Sequence, residues 1–352
     1  MKHNPKELLM PIGNFPNSDY SILIDDLNSL VTHNTAILGV LGVGKSMLSI
    51  ELVERLISQN IKVIVLDLTN QYQSKLEIFL DTEYEKMCIS KLLEAGEKDR
   101  DTWDENINKG GSITNFAEAL HYDIEDLLNN DKNRNLKIYN PSQLFATKQY
   151  HEPKSYNNEG NWNRNAQLYT LTPVEITKIV SEVALTLVSD EMRDTAKLCL
   201  VLEEAHSLVP EFGSIVVETD KHATNGTARA ILQGRKYGFG CIVVSQRTAN
   251  VTKTILNQCN TIFAMRTFDD TGKEFLSNYI GKEYTNILSS LNERHAIYFG
   301  KSSSCENPVL IRLNDREKFL SEYRMQYPLK EIIKENPKED ASDDGFVDDI
   351  PF

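Results

Sequence analysis

The chain has 352 residues, 40% of them hydrophobic and 25% charged, enough for one large or two modest domains around a substantial core. That balance excludes a disordered or fibrous protein. With 38 Lys+Arg against 51 Asp+Glu the net charge is −13, which excludes a protein that coats nucleic acid by bulk charge. The cysteines (Cys88, Cys199, Cys241, Cys259, Cys305) are scattered with no CxxC pair, and read as reduced packing thiols of a cytosolic protein. No apolar stretch approaches the roughly 18 residues that span a bilayer. Met1–Glu7 leads into no long apolar region either, so the expected location is the cytoplasm, with no membrane contact.

In chain order, apolar and β-branched runs predict strands at Thr35–Val40, Ile61–Leu68, Leu136–Asn140, Leu198–Leu202, Gly240–Ser245, Thr261–Arg266, His295–Gly300 and Val309–Leu313. Between them Leu48, Leu52, Val53, Leu56 and Ile57 repeat at helical spacing. So do Ile176, Ile179, Val180, Val183 and Leu187 after a Thr172-Pro173 helix start. This order predicts an α/β fold with a central, mostly parallel sheet and ligands at the carboxyl ends of its strands. Residues 73–165 are polar and mostly helical in pattern, and read as an insert. Lys154–Gln167 has almost no aliphatic content and reads as a mobile loop. Lys334–Phe352 carries seven acidic and two basic side chains, an acidic flexible tail.

Gly39-Val-Leu-Gly42-Val43-Gly44-Lys45-Ser46 fits G-x-x-x-x-G-K-[ST] between an apolar strand and an amphipathic helix. Glycines let consecutive backbone N–H groups curl round phosphate oxygens at a helix N-terminus. Gly39, Gly42, Val43, Gly44, Lys45, Ser46 and Met47 are therefore the expected contacts for ATP, with Lys45 on the β- and γ-phosphates and the Ser46 hydroxyl on Mg²⁺. A second apolar strand ends in Glu203-Glu204. Beside a phosphate loop, Glu203 suits the Mg²⁺ shell through water, and Glu204 suits the role of polarising the water that attacks the γ-phosphate. Ser245-Gln246-Arg247 places the Gln246 amide where it can contact the γ-phosphate or attacking water; the same residues also suit a plain helix cap. Arg229 and Gly234-Arg235-Lys236-Tyr237-Gly238 offer cations near a helix end, which equally suits a cap.

Taken together, HNTAILGVLGVGKS (33–46), VLEEAHSLVP (201–210), ILQGRKYGFGCIVVSQR (231–247), ILNQCNTIFAMR (255–266) and RHAIYFG (294–300) resemble the HerA/FtsK superfamily of P-loop motor ATPases, and HerA above all. The resemblance implies a RecA-like ATPase core over 31–330 that assembles as a homo-oligomer, a hexameric ring, with nucleotide at each subunit boundary. It implies an arginine reaching a neighbour's γ-phosphate: Arg235 first, then Arg229 and Arg266. It also implies double-stranded DNA as track and a separate nuclease or other effector as partner, in DNA processing or anti-phage defence. An alternative is an ATP-dependent scaffold that recruits and activates an effector without translocating. HerA proteins carry an N-terminal barrel, whereas here Pro11-Ile12-Gly13 through Ile24-Asp25, within a short N-terminal segment over 1–30, resembles only its last stretch. The family's Asp…Gly-Glu-Tyr turn is replaced by Asp67-Leu-Thr-Asn70-Gln71-Tyr72. Gly213–Gly226, with Lys221 and His222, is a pore loop or an ordinary surface loop. The ending Asp348-Asp349-Ile350-Pro351-Phe352 is similar to the tip of bacterial single-stranded DNA-binding proteins, and reads as a docking peptide over 331–352.

Overall fold

A computed structural model describes residues 11–104, 110–129, 133–151, 155–156, 162–163, 166–214, 218–326, 328 and 332. In chain order, Gly13–Asn14 (β1) and Ser21–Ile22 (β2) form a short hairpin. Helix Leu27–Thr32 (α1), strand Thr35–Leu38 (β3), helix Lys45–Ser58 (α2) and strand Lys62–Leu66 (β4) follow. Helices Gln71–Lys75 (α3), Thr82–Asp101 (α4) and Thr114–Asn129 (α5) precede strand Leu136–Tyr139 (β5). Next come strands Thr147–His151 (β6), Ser155–Tyr156 (β7), Trp162–Asn163 (β8) and Ala166–Thr170 (β9), helix Pro173–Val188 (α6) and strand Arg193–Leu202 (β10). Helices Ala205–Leu208 (α7) and Glu218–Gly234 (α8), strand Tyr237–Ser245 (β11), helix Lys253–Leu256 (α9) and strand Thr261–Met265 (β12) carry the chain onward. It ends with helices Asp270–Ile280 (α10) and Lys282–Ile287 (α11), strands His295–Gly300 (β13) and Val309–Leu313 (β14), and helix Arg316–Gln326 (α12).

Ten strands form one sheet in the order β2-β1-β14-β13-β12-β3-β11-β10-β4-β5. The run from β12 to β5 is parallel; β13, β14, β1 and β2 extend it antiparallel. Side chains alternate between faces, so both faces need cover. Ala36 and Leu38 of β3 join a core with α5, α6 and α8, while Ile37 joins a second core with α1 and α2. Burial on both sides is why these strands read as continuous apolar runs. The start of α6 is fixed locally by a capping box: Thr172 Oγ1 accepts from Glu175 N, and the Glu175 carboxylate accepts from Thr172 N, worth about 1 kcal/mol.

Several expectations change. The polar, mostly helical insert over 73–165 also contributes to the main sheet. Its strand β5 is the parallel edge of the main sheet, paired Val63 to Leu136 and Leu66 to Tyr139. Lys137 of β5 is buried, with its ammonium 2.6 Å from Asp123 and 3.2 Å from Glu85, and Tyr139 donates to Asp123 at 2.6 Å. Burial depresses that ammonium, yet Asp123 and Glu85 outweigh it and hold it above the ordinary lysine range. This network pins α4 and α5 to the sheet. Within Lys154–Gln167, read as a loop, Ser155–Tyr156 pairs with Trp162–Asn163, and β9 pairs with β6; residues 154, 157–161 and 164–165 lie outside the described residues. The candidate pore loop is largely helix, since Glu218–Gly226 belongs to α8; residues 215–217 lie outside the described residues. Within the short N-terminal segment expected over 1–30, the described residues 11–30 add β1 and β2 to the sheet through Gly13–Leu313 and Asn14–Arg312 pairing. The acidic tail and its tip lie outside the described residues, apart from Ile332.

Candidate active site

The loop from β3 to α2 carries the phosphate-binding sequence, and its backbone demands glycine at three points, one of them Gly42 at φ +80. Gly44, which caps α2, has φ +101, a left-handed conformation strained for any residue with a Cβ. A Cβ on Gly39 would lie 2.8 Å from the Met265 Cβ, because Val40 N donates to Arg266 O and draws the loop against the end of β12. Val43 is buried, whereas Leu41 and Met47 face solvent. Lys45 is nearly enclosed and donates to Val40 O at 2.9 Å. Burial lowers its pKa, an effect opposed by the nearby Glu204 and Glu203 carboxylates.

At the end of β10, adjoining the loop, Glu203 is buried. Ser46 Oγ donates to its Oε1 at 2.9 Å, and the Tyr72 hydroxyl lies 2.8 Å from its Oε2 and 2.7 Å from Ser49 Oγ. A phenol has one proton; given to the carboxylate, it leaves the Ser49 hydroxyl to donate in turn. Burial pushes the Glu203 pKa up to about 7, against the hydrogen bonds from Tyr72 and Ser46. The Tyr72 phenol is held well above its usual range, first by burial and then by Glu203. Tyr72 itself is set by Asp67 at the end of β4, whose Oδ2 accepts from Tyr72 N at 2.8 Å. Asn70 adopts a left-handed φ of 57°, a conformation that asparagine tolerates better than most residues.

Glu204 also adopts the left-handed region, with φ 52° and ψ 48°, and turns its carboxylate away from Glu203 toward the end of β11. Gln246 Nε2 donates to Glu204 Oε1 at 3.1 Å. Oε2 is buried without a hydrogen-bond partner, 3.3 Å from His206 Nδ1. Burial lowers the His206 pKa, with Glu204 opposing and Arg247 and Lys45 adding to it. A carboxylate with one oxygen fixed by an amide and the other orphaned has the form needed to take a proton from a water placed against it.

Oxygen donors suit Mg²⁺, which usually takes one or two carboxylates plus phosphate and water. Among the described residues no group of three or more His, Cys, Asp or Glu side chains forms a self-sufficient metal site. Ser46 Oγ beside Glu203 Oε1 fits the sparser arrangement, so these two residues would hold the ion, which would neutralise phosphate charge. Tyr72 occupies the other Glu203 oxygen.

The fold therefore brings together Lys45, Ser46, Glu203, Glu204 and Gln246 at the carboxyl ends of β3, β10 and β11. Arg235 is elsewhere. It follows α8, two residues before β11 begins, and its Nη2 lies 2.7 Å from His33 Nε2, two residues before β3 begins. At about 3.3 Å per residue, six residues separate His33 from the loop at Gly39, roughly 20 Å. Arg229 lies within α8, on the segment that leads to Arg235. Arg266 stands beside its own phosphate loop through its carbonyl. Tyr72 and His206 are site residues that local pattern alone did not mark. Tyr72 lay in the altered turn, and His206 follows the paired carboxylates.

A parallel sheet with a glycine-rich loop entering α2 and acidic side chains at the ends of neighbouring strands defines a RecA-like P-loop ATPase fold. Residues 10–148 match the family model described as the central domain of helicase HerA. The DNA double-strand break repair helicase HerA of Sulfurisphaera tokodaii is 21% identical over 252 residues, covering 68% of this chain and 44% of that protein. The same-named protein of Sulfolobus acidocaldarius is 28% identical over 124 residues, 34% of this chain and 23% of that protein. The chain thus spans less than half the length of these relatives. The structure of VirB4 of Thermoanaerobacter pseudethanolicus has a TM-score of 0.51 at 12% identity, covering 91% of this chain and 98% of that one, a likeness of fold. Over these stretches the chain is similar to the P-loop motor ATPase HerA. Among the described residues no helix is long and apolar enough to cross a membrane.

Proposed function

We propose that this protein is a ring-forming ATPase that hydrolyses MgATP to translocate along double-stranded DNA, acting with a separate nuclease or other effector in DNA processing or anti-phage defence. In this reading Lys45 and the loop amides hold the phosphates, Ser46 and Glu203 hold Mg²⁺, and Glu204 takes the proton of the attacking water. Gln246 orients Glu204 and registers whether the γ-phosphate is present.

The carrying observation is the separation between this cluster and Arg235. A ring interface is heterologous, so the phosphate site and the group that completes it lie on different surfaces of one protomer. Lys45, Ser46 and Glu204 occupy one end of the sheet and Arg235 the other, which supports delivery of Arg235 to a neighbour's γ-phosphate and disfavours Arg266. A cation supplied in trans makes hydrolysis depend on subunit closure, since it stabilises transition-state charge only then. The contact of Tyr72 with Glu203 beside the altered turn at Asn70-Gln71 supports the motor reading over the scaffold alternative.

The test measures ATP turnover with and without long duplex DNA, together with displacement of a triplex-forming strand. DNA-stimulated turnover with displacement agrees with a motor; turnover that DNA does not alter, with no displacement, contradicts one.

A further inference from the structure

We infer that Lys301 is a second cation, acting with Arg235, for the terminal phosphate of a nucleotide held by an adjoining copy of this chain, and that His33 Nε2 keeps the place of a phosphate oxygen until that nucleotide arrives. The inference rests on the composite-site reading above.

Arg235 Nη2 lies 2.7 Å and Lys301 Nζ 2.9 Å from the same atom, His33 Nε2. Guanidinium and ammonium groups only donate, so Nε2 must present its lone pair and the imidazole is neutral. Its other nitrogen is accounted for: Thr32 Oγ1 spends its proton on Asn28 O at 2.9 Å and can accept from Nδ1, 3.0 Å away. One lone pair thus faces two full positive charges. Neither Arg235 nor Lys301 makes an ion pair with a carboxylate among the described residues. The acidic group that acts on His33 is Asp26, and it is committed to capping α1 through Asn28 N and Ser29 N. Cations left side by side on a neutral acceptor suit an oxyanion, whose several lone pairs and charge satisfy both donors.

The cluster is also built rather than accidental. Asn260 N donates to His33 O at 2.8 Å, and Lys301 N donates to Asn260 O at 3.0 Å, so the backbone of one residue ties the two. Gly300, at φ +122, permits that approach, since a Cβ there would lie 1.8 Å from Asn260 O. Arg235 and Lys301 are solvent-exposed, at the sheet end remote from this chain's own phosphate loop. A phosphate reaching them therefore comes from another molecule.

The test compares ATP turnover of the full chain, at concentrations where it assembles, for Lys301→Ala, Lys301→Arg, Arg235→Ala and Glu204→Gln, alone and mixed. Lys301→Ala is expected to lower turnover at least about tenfold with unchanged ATP affinity, and Lys301→Arg to retain most of it. Mixing the inactive Lys301→Ala and Glu204→Gln chains should restore turnover, because an intact Glu204 then meets a neighbour's intact Lys301. Wild-type turnover in Lys301→Ala overturns the inference. So does a loss confined to DNA stimulation, which would assign Lys301 to a nucleic-acid phosphate. Restoration by Arg235→Ala with Glu204→Gln, but not by Lys301→Ala with Glu204→Gln, overturns the Lys301 role while leaving the composite site standing. Failure of both mixtures overturns the composite site itself.

Discussion

Ser46 Oγ donates to Glu203 Oε1 at 2.9 Å, joining the first turn of α2 to the end of β10 across 157 positions of sequence. This single bond puts a hydroxyl and a carboxylate oxygen side by side at the mouth of the phosphate loop, and Tyr72 closes the carboxylate's other side.

Holding Glu203 there is costly. Its pKa rises from 4.5 to about 7 on folding, so the folded protein binds that proton more tightly. The stability this gives is fully present below pH 4.5 and is lost as pH rises through about 7, a loss of roughly 3 kcal/mol at most. Without nucleotide or magnesium, Glu203→Gln is therefore expected to melt above the wild type at pH 8, the gain vanishing near pH 5. A lower melting temperature at pH 8 contradicts this account.

Lys45 is enclosed with its ammonium on Val40 O, ready to transfer to phosphate oxygens. Lys45→Ala should weaken nucleotide binding by about tenfold to a hundredfold, the worth of a charged hydrogen bond. Calorimetry showing unchanged affinity would move the phosphate site elsewhere.

Glu204→Gln retains the side chain's shape and a partner for Gln246, but the amide cannot accept the proton of water. ATP binding should persist while turnover falls by about a hundredfold or more. Normal steady-state hydrolysis would displace Glu204 as the base.

His33 should titrate below 6.5, because burial, then Arg235 and Lys301, disfavour its protonation. Folding stability that depends on the neutral ring is then present above pH 6.5 and lost as pH falls through the depressed value. The imidazole resonances followed by NMR should give that midpoint, and Lys301→Ala should raise it. An unshifted midpoint in both proteins contradicts the pairing.

The buried Lys137 with Asp123 and Glu85 predicts that α4 and α5 depend on one buried ionic cluster. Asp123→Ala leaves the ammonium with Glu85 alone and should cost about 3 kcal/mol. Hydrogen exchange localised to α4, α5 and β5 should report it; protection unchanged from wild type would deny the network its structural role.

What the sequence disclosed was whatever the chain writes locally. The phosphate loop, the apolar strands flanking it and the Thr172-Pro173 helix start are each encoded within a few residues, and all appear where expected. Pairings that depend on distant partners were not legible. Nothing near Gly13 announces Leu313, and the Tyr72–Glu203 contact joins residues 131 apart. β5 was recognised as a strand, yet its polar neighbours disguised its membership in the main sheet, because Asp123 and Glu85 bury their charge against Lys137 rather than facing solvent. β9 begins in a stretch poor in aliphatic residues and is held by backbone pairing to β6, which composition does not reveal. The family's missing glycine was visible as a loss, but the left-handed conformation of Asn70 was not.

Turnover per chain, measured with saturating MgATP over a range of protein concentrations while mass photometry follows assembly, addresses the shared site most directly. Activity should be negligible in the monomer and rise in step with the multimer. A monomer that hydrolyses ATP at the full rate, independent of concentration, would contradict a site completed by its neighbour.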